Sequence, residues 1–267
     1  MKYFFDPQWK GVFLKQGLAD FEALWGLDLV SLDTPNIGRS RDGWSSVCAI
    51  NLELDNGACK KLIIKRQQNH NSRTLLHPCT GIPTFEKEMI SILRYDRQNI
   101  PVMKPVYFAR RKKNGVQAIL ITEFLDGFVS LDNLVKRWKQ AEWPRNTKNN
   151  LIKVIAKCIS RMHAKGLMHN SMYPKHIFIK RNGDDFLIRL IDLEKSKQGF
   201  FALNRVCRDL ESLHRRAKGW SAADRIRFLY AYFDTDRLDG RVKKICKRII
   251  KKTRAKNDIL AKSKTDG

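Results

Sequence analysis

Polar residues flank a predicted β-hairpin in the second half of the chain. The loop before the hairpin runs from His169 to His176, and the strand that closes it ends on Asp192 after the apolar-rich run 186–191. Carboxylate oxygens are hard ligands of the kind that Mg²⁺ prefers. A carboxylate needs a reason to follow a buried strand, so Asp192 is a candidate metal ligand. His176, taken by itself, could simply satisfy a hydrogen bond in the core.

A second candidate lies in the first half of the chain, where Lys65 ends a predicted strand. Residues 44–54 and 61–65 have the composition of paired strands, and the Asn-Gly pair at 56–57 favours the positive φ angles of a tight hairpin turn. Successive side chains of a strand point to opposite faces, so Lys65 shares a face with Ile63. A lysine there could lie at the rim of a cleft, although a lone strand lysine is more often a solvated surface residue.

Apolar periodicity and turn residues predict the elements that position these side chains. The order is β-rich with one helix up to about residue 125 and mainly helical afterwards. The sequence therefore predicts an α+β fold with an N-lobe at 1–125 and a C-lobe at 126–267. Helices are expected at 84–95, 147–165, 205–216 and 221–233, and further strands within 102–125, at 177–179 and at 186–191.

The chain is strongly basic, with 52 Lys and Arg residues against 27 Asp and Glu residues and a net charge of +25. Such a field attracts polyanions, namely nucleic acid, an anionic membrane or a phosphorylated glycolipid. The segment 241–256 contains many basic residues and no acidic one, and its stripe of Val242, Ile245 and Ile249 has helical spacing. This helix could dock through its stripe with a solvated basic face, contact an anionic surface, or do both.

Composition argues against several classes of protein. Hydrophobic residues make up 43% of the sequence, which is enough for a sizeable core. No apolar run approaches the ~18 residues that span a bilayer, and the N-terminal segment with Asp6 and Lys10 is not expected to be a signal peptide. The cysteines are widely spaced without a C-x-x-C pair, so we expect reduced thiols in a cytoplasmic protein rather than a zinc site or a disulfide framework.

The polar loop and the end of the following hairpin combine into one pattern. His169-Asn-Ser-Met-Tyr-Pro-Lys-His176, followed by Asp192-Leu-Glu194, resembles a kinase catalytic loop (H-R-D-x-x-x-x-N) and the metal-binding D-F-G. With His in place of the final Asn and Ile-Asp-Leu-Glu-Lys-Ser after it, the sequence resembles the InaA/WaaP lipopolysaccharide kinase family, and within it the InaA-like branch, over about residues 40–235. The resemblance implies a protein-kinase-like bilobal fold with a β-rich N-lobe and a mainly helical C-lobe.

The resemblance also implies roles in binding ATP for residues of the N-lobe. Lys65 corresponds to the lysine that holds the nucleotide phosphates. Glu88 corresponds to its partner on the following helix, with Glu86 as the alternative. Glu123 and Leu125 correspond to the hinge, whose backbone meets the adenine.

In the C-lobe the resemblance implies Asp192 as a ligand of Mg²⁺, His176 at or beside the second metal position, and Asp209 as the brace of the catalytic loop. The glycine-rich loop departs from the pattern. It is reduced to Gly38 and Gly43, where a kinase usually has three glycines. Its backbone amides and the arginines between the two glycines could still cover phosphates.

A second departure concerns the catalytic aspartate, whose place Ser171 occupies. A serine cannot accept the proton of a substrate hydroxyl near neutral pH, and general-base assistance is typically worth ~10²–10⁴-fold. His169, Tyr173 or Glu194 could substitute for the aspartate, and the spacing does not choose among them.

Three functions remain compatible with the sequence. The first is an ATP-dependent kinase that phosphorylates a sugar, such as heptose, of the lipopolysaccharide inner core from the cytoplasmic side of the inner membrane; the resemblance implies this acceptor, and the basic charge suits an anionic leaflet. The second is a pseudokinase or nucleotide-binding scaffold, which Ser171 favours. The third is a nucleic-acid-binding protein, but the sequence has no helix-turn-helix, zinc or aromatic-stacking signature, so no specific nucleic acid is expected.

Overall fold

The computed structural model describes residues 1–32, 36–37, 43–73, 77–138, 143–199 and 203–265. The chain divides into two compact units. The first unit comprises Met1–Arg97 and Met103–Asp126, and the second comprises Gln98–Val102 and Gly127–Gly267. Both units contain helices and strands, which agrees with the α+β class expected from the sequence.

An antiparallel sheet of six strands is the framework of the first unit. The strands of this unit are β1 (Tyr3–Phe5), β2 (Asn36–Ile37), β3 (Trp44–Glu53), β4 (Cys59–Gln68), β5 (Asn71–Ser72), β6 (Ile82–Pro83), β7 (Pro105–Lys112) and β8 (Val116–Glu123). The sheet has the order β1-β7-β8-β4-β3-β2, and β5 pairs separately with β6. Strand β4 therefore lies inside the sheet, between β3 and β8.

The β3–β4 hairpin confirms the strand pair and the Asn-Gly turn predicted from the sequence. Val47 lies opposite Lys65 in the register, and Gly57 in the turn has a φ of +74°. Leu62 and Ile64 are fully buried on one face of β4. Because side chains alternate, Lys65 projects from the other face.

The described residues of the first unit form three helices, of which only the last was predicted. Two short helices lie between β1 and β2, and they escaped prediction because nine and six residues are too few to show a helical period. The side chains of Asp6 and Asp20 cap them by accepting hydrogen bonds from first-turn N–H groups, and Phe13 and Leu24 are fully buried in the core of this unit. The helices are α1 (Pro7–Lys15), α2 (Phe21–Gly26) and α3 (Thr84–Arg97).

Helix α3 buries two carboxylates together with its apolar face. Glu86 and Glu88 are each only 2% exposed, and Met89, Ile92 and Tyr95 are fully buried beside them. A buried carboxylate is costly unless a cation and hydrogen bonds compensate its charge. Both glutamates must therefore have cationic partners.

Helices make up most of the second unit. Its elements are β9 (Val129–Ser130), α4 (Leu131–Trp138), α5 (Arg145–Ala164), β10 (Leu167–Met168), β11 (Ile177–Asn182), β12 (Asp185–Leu190), β13 (Lys197–Gln198), α6 (Leu203–Arg216), α7 (Ala222–Phe233) and α8 (Gly240–Thr265). The strands form sheets in the orders β12-β11-β9 and β10-β13. Helices α5, α6 and α7 and the β11–β12 hairpin confirm the predicted elements, whereas α4 was not predicted.

The packing of α5 against α7 forms much of the core of the second unit. Ile155 of α5 and Phe228 of α7 are fully buried. A capping box of Ser221 and Asp224 begins α7. Lys148 Nζ of α5 lies 2.7 Å from Asp224 Oδ2, so the two helices are also joined by an ion pair.

Helix α8 docks through the apolar stripe predicted from its sequence. Val242, Ile245 and Ile249 are buried, and they leave a basic face exposed. No helix in the described ranges combines the length and the hydrophobicity required to cross a membrane. The exposed cations of α8 are Lys243, Lys244, Lys247, Lys251 and Arg254.

Candidate active site

Lys65 and Glu88 form a buried ion pair in the first unit. Lys65 Nζ lies 2.7 Å from Glu88 Oε1 and 2.8 Å from Oε2. The lysine side chain is 16% exposed and the glutamate side chain 2%. Lys65 thus keeps a part of its side chain accessible while the glutamate holds its ammonium group in position.

The structure distinguishes Glu88 from the alternative, Glu86. Glu86 Oε1 contacts the N-terminal amino group of Met1 at 2.6 Å, and its Oε2 lies 2.8 Å from a guanidinium nitrogen of Arg110. Two residues along a helix correspond to a rotation of about 200°, so the two glutamates face different partners. Only Glu88 is paired with Lys65.

The predicted hinge follows the end of β8. The N–H of Glu123 donates to the Lys104 carbonyl at 2.9 Å, and the N–H of Phe124 donates to the Lys61 carbonyl at 3.4 Å. Leu125 is half-buried, and within the described part of the chain its N–H makes no hydrogen bond. Of the glycine-rich loop, Gly43 is buried directly before β3, and Gly38 lies outside the described residues.

The predicted catalytic loop lies in the second unit and brings four of the predicted residues together. The imidazole of His176 makes contacts through both nitrogens, with Nδ1 at 2.9 Å from the Ser171 carbonyl and Nε2 at 3.0 Å from Asp192 Oδ2. His169 Nε2 lies 2.9 Å from the Ile191 carbonyl, directly before Asp192. The loop is thereby tied at two points to the end of the β11–β12 hairpin.

Asp192 has a left-handed backbone conformation, which aspartate adopts more readily than most residues. Its φ and ψ are 60° and 57°, and its carboxylate does not cap the short 3-10 turn that follows. The side chain is 35% exposed, so its carboxylate remains open to a ligand.

The comparison with known proteins identifies the chain. A sequence model of the lipopolysaccharide kinase (Kdo/WaaP) family matches residues 22–232. The chain belongs to this family. It is 28% identical to Protein InaA of Escherichia coli (strain K12) over 196 residues, which are 72% of this chain and 87% of InaA. It is 26% identical to the lipopolysaccharide core heptose(I) kinase WaaP of Pseudomonas aeruginosa over 156 residues, 55% of this chain and 58% of WaaP.

The fold of this Kdo/WaaP family member agrees with a solved structure of WaaP in complex with acyl carrier protein. The TM-score is 0.68 at 20% sequence identity, and the match covers 97% of this chain and 99% of the WaaP chain. The protein-kinase-like fold predicted from the sequence is confirmed.

The contacts of His176 and Asp192 fit the divalent cation that kinases of this fold use. Burial lowers the pKa of the His176 imidazole to about 4, although the Asp192 carboxylate and the Ser171 carbonyl both raise it. A carbonyl only accepts hydrogen bonds, so Nδ1 donates to Ser171. The partly exposed Asp192 carboxylate supplies the hard oxygen atoms that a divalent cation prefers.

Ser171 occupies the position of the missing catalytic aspartate, and it is only 2% exposed. Among the three candidate substitutes, His169 is fully buried and stacks on His176 with 5.8 Å between the ring centroids. Tyr173 is half-buried beneath a guanidinium group, with Arg216 Cζ at 3.9 Å from its ring centroid. Glu194 is the one carboxylate of the three, and its side chain is 26% exposed.

A buried network anchors the catalytic loop from the opposite side. Asp209 of α6 is fully buried, and its Oδ2 accepts a hydrogen bond of 2.8 Å from the backbone N–H of His169. His163 of α5 lies 3.3 Å from the same oxygen through Nε2 and 2.8 Å from the Tyr232 hydroxyl through Nδ1. Sequence reasoning selected Asp209 but missed His163 and Tyr232, because neither belongs to a motif.

We expect Asp209→Ala to destabilise the folded protein by about 3 kcal/mol, since it leaves a buried N–H group and a buried imidazole without their shared acceptor. In a domain of this size the melting temperature should fall by on the order of 10 °C. Thermal unfolding followed by circular dichroism measures this. Asp184→Ala, at an exposed carboxylate, is the matched control. Equal melting temperatures for the two variants would show that Asp209 does not anchor the loop.

Proposed function

We propose that the protein transfers the γ-phosphoryl group of ATP to a sugar hydroxyl, most specifically a heptose hydroxyl of the lipopolysaccharide inner core. The buried Lys65–Glu88 pair carries the nucleotide part of this proposal, because an ion pair of this kind must be in place for phosphoryl transfer in protein kinases. Family membership and the similarity to a heptose kinase support the acceptor.

Each residue of the nucleotide site has a distinct task in this proposal. Lys65 neutralises phosphate oxygens and Glu88 holds its ammonium group in place. The backbone of Glu123 and Leu125 binds the adenine. Asp192, in contact with His176, holds the cation, which when bound supplies positive charge to the phosphates.

In this mechanism the acceptor hydroxyl approaches the catalytic loop at Ser171. The serine is almost fully buried, and its hydroxyl cannot take the acceptor proton near neutral pH. Glu194 is the proposed proton acceptor, because it is the one carboxylate among the three candidate substitutes and its side chain is 26% exposed. The loose transition state of phosphoryl transfer demands little base assistance at its start, so transfer without an aspartate remains feasible.

Substituting Lys65 with methionine should lower nucleotide affinity and phosphoryl transfer about 10²-fold, because it removes the charge that meets the phosphates. Lys60→Met, on the same strand but at an exposed position, should leave both unchanged. The measurements are titration calorimetry with Mg·ATP and initial rates of transfer. Equal affinities in the two variants would contradict the assignment of Lys65.

A basic, apolar-walled groove in the second unit is the proposed site for the lipid part of the acceptor. It lies among α6, α7 and α8 and has a volume of about 710 Å³. Its lining combines apolar side chains, which suit an acyl chain, with cations, which suit neighbouring anionic groups. The apolar side chains are Ile226, Leu229, Leu238, Ile249 and Ile250, and the cations are Arg215, Arg225, Lys243, Lys247 and Arg254.

The exposed basic face of α8 is proposed to hold the protein on the cytoplasmic surface of the inner membrane, beside its acceptor. Since each lysine near an anionic surface contributes about 1 kcal/mol, replacing Lys244, Lys247 and Lys251 with glutamine should weaken binding to anionic vesicles about 10²-fold. The control replaces three exposed lysines elsewhere with glutamine, which removes the same charge. They are Lys10, Lys153 and Lys165.

Co-sedimentation with phosphatidylglycerol vesicles at two salt concentrations measures this binding. The binding of the unsubstituted protein should also fall at high salt, as expected for an electrostatic contact. Equal losses in both triple variants would mean that the total charge attracts the membrane and that α8 has no special part in it.

The function itself is tested by transfer of radiolabelled phosphate from Mg·ATP to dephosphorylated lipopolysaccharide core. Transfer establishes the kinase and shows that Ser171 permits catalysis. Binding of Mg·ATP without transfer supports the alternative of a pseudokinase or nucleotide-binding scaffold. Failure to bind Mg·ATP at all would overturn the proposed nucleotide site.

A further inference from the structure

A small pocket lies beside the predicted catalytic loop, within the second unit. It has a volume of about 310 Å³, at the lower end of the ~300–1,000 Å³ range that is typical of small-molecule sites. Its lining joins Pro174 of the loop to one face of α4 and to the turn 217–219, which connects α6 with α7. The mechanism proposed above assigns no task to this pocket.

The pocket is within reach of a sugar that neighbours the acceptor sugar. Pro174 follows Ser171 by three residues, which span at most ~10–11 Å even in an extended chain. The N–H of Tyr173 donates to the Ser171 carbonyl at 2.7 Å, so this part of the loop is compact. A saccharide with its acceptor hydroxyl at Ser171 can therefore place the adjoining sugar at Pro174.

The turn that lines the pocket is held in place from inside the protein. Arg225 donates through Nη1 to the His214 carbonyl and through Nη2 to the Ala217 carbonyl, the latter at 3.0 Å. Gly219 packs so closely against α4 that a Cβ atom in its place would overlap the Val135 side chain. Since the wall is already formed, a ligand does not have to order it on binding.

The lining presents two cations and one carboxylate to a ligand. Lys218 is exposed in the turn. On α4, Lys136 Nζ lies 2.9 Å from Asp132 Oδ2, and both side chains are largely exposed. An exposed pair of this kind is weak, so both of its members remain available. Ammonium groups bind anionic oxygens, and a carboxylate accepts hydrogen bonds from sugar hydroxyl groups.

Arg216 adds a cation with unused hydrogen-bonding capacity. Its Cζ lies 3.9 Å from the centroid of the Tyr173 ring, directly before Pro174 in the loop. Its Nη1 is buried and has no hydrogen-bond partner in the part of the chain that the structure describes. A buried donor without an acceptor is costly, and a guanidinium group matches the paired oxygens of a carboxylate or phosphate. The residue as a whole is only half-buried, so an anionic ligand can approach it.

We propose that this pocket binds the sugar next to the acceptor sugar and selects one that carries a carboxylate or a phosphate. The anionic oxygens contact Arg216 and Lys218, and Asp132 accepts hydrogen bonds from the hydroxyl groups of the same sugar. The inference rests on the proposed phosphoryl transfer to a saccharide, and it names the residues that select this acceptor.

Saturation-transfer nuclear magnetic resonance tests the selection without nucleotide or turnover. The full-length protein is mixed separately with glucuronic acid, glucose 6-phosphate and neutral glucose. At least one of the charged sugars should bind about tenfold more tightly than glucose, as hydrogen bonds to charged groups require. The better of the two identifies the anion that the pocket accepts. Equal affinities for all three sugars would overturn the inference.

Substitutions locate the binding. Arg216→Gln and Lys218→Gln should each lower the affinity for the charged sugar about tenfold and leave that for glucose unchanged. Arg181→Gln, at an exposed arginine of β11, removes the same charge and should change neither affinity. Lys218 is exposed, so its variant tests the pocket even if Arg216→Gln does not fold. Equal losses in Lys218→Gln and Arg181→Gln would mean that the net charge attracts the sugars, and the inference would be wrong.

The outcomes separate this inference from the function on which it rests. If a charged sugar binds selectively through Lys218 but no radiolabelled phosphate is transferred, the pocket stands and the proposed function fails. If phosphate is transferred while the three sugars bind equally, the function stands and the inference fails. Selective binding together with transfer supports both.

Discussion

Replacing Asp192 with asparagine should lower phosphoryl transfer at least about 10³-fold, equivalent to about 4 kcal/mol of transition-state stabilisation. The amide has the same shape as the carboxylate but no charge to hold the cation. The fold should survive, because asparagine tolerates the left-handed conformation at φ 60° and the Asp192 side chain makes no capping hydrogen bond. Initial rates of radiolabelled transfer, with circular dichroism to confirm folding, measure the effect.

The matched control for this change is Asp185→Asn, at an exposed carboxylate at the start of β12, the strand that precedes Asp192. It should retain the full rate. A folded Asp192→Asn protein with more than a tenth of the normal rate would show that Asp192 does not hold the cation. The proposed mechanism would then lose its metal site.

Ser171→Asp should raise the turnover number about 10²-fold, because it restores a carboxylate at the position where protein kinases place their catalytic base. The rate of the aspartate variant should also fall at low pH as the new carboxylate becomes protonated. Rates of transfer to dephosphorylated lipopolysaccharide core between pH 5 and 8 measure both effects.

Ser171→Asn is the control, since it matches the size of aspartate without its charge. Ser171 is almost fully buried, so both variants need a check of folding by thermal unfolding. A folded Ser171→Asp protein with no gain over Ser171→Asn would mean that proton removal does not limit the reaction. If the unsubstituted protein is inactive and Ser171→Asp is active, the natural chain is a pseudokinase.

Much of the second unit could be predicted because its signals are local. The run from His169 to His176, the β11–β12 hairpin and Asp192 lie within 24 residues, and their order alone indicates the kinase catalytic loop. Helix α5 was also predictable, because Ile155 and its apolar neighbours repeat at helical spacing over about three turns. Helix α4, with eight residues, and the short α1 and α2 offered no such repeat.

The contacts that complete the site could not be predicted from the sequence, because they depend on how whole elements pack together. Whether Glu86 or Glu88 meets Lys65 depends on how α3 is rotated about its axis, and the packing of Met89 and Ile92 in the core sets that rotation. The periodicity of one helix does not specify which strand lies opposite each of its faces.

By itself the sequence determined the family, the α+β class and the residues of the catalytic loop, since these depend on short patterns and on spacing along the chain. Only the tertiary structure decided that Lys65 pairs with Glu88, that His163 contacts Asp209, and that His176 Nε2 lies next to Asp192. These contacts join residues 16 to 46 positions apart. Their geometry follows from the packing of whole elements, which no local pattern in a single sequence encodes.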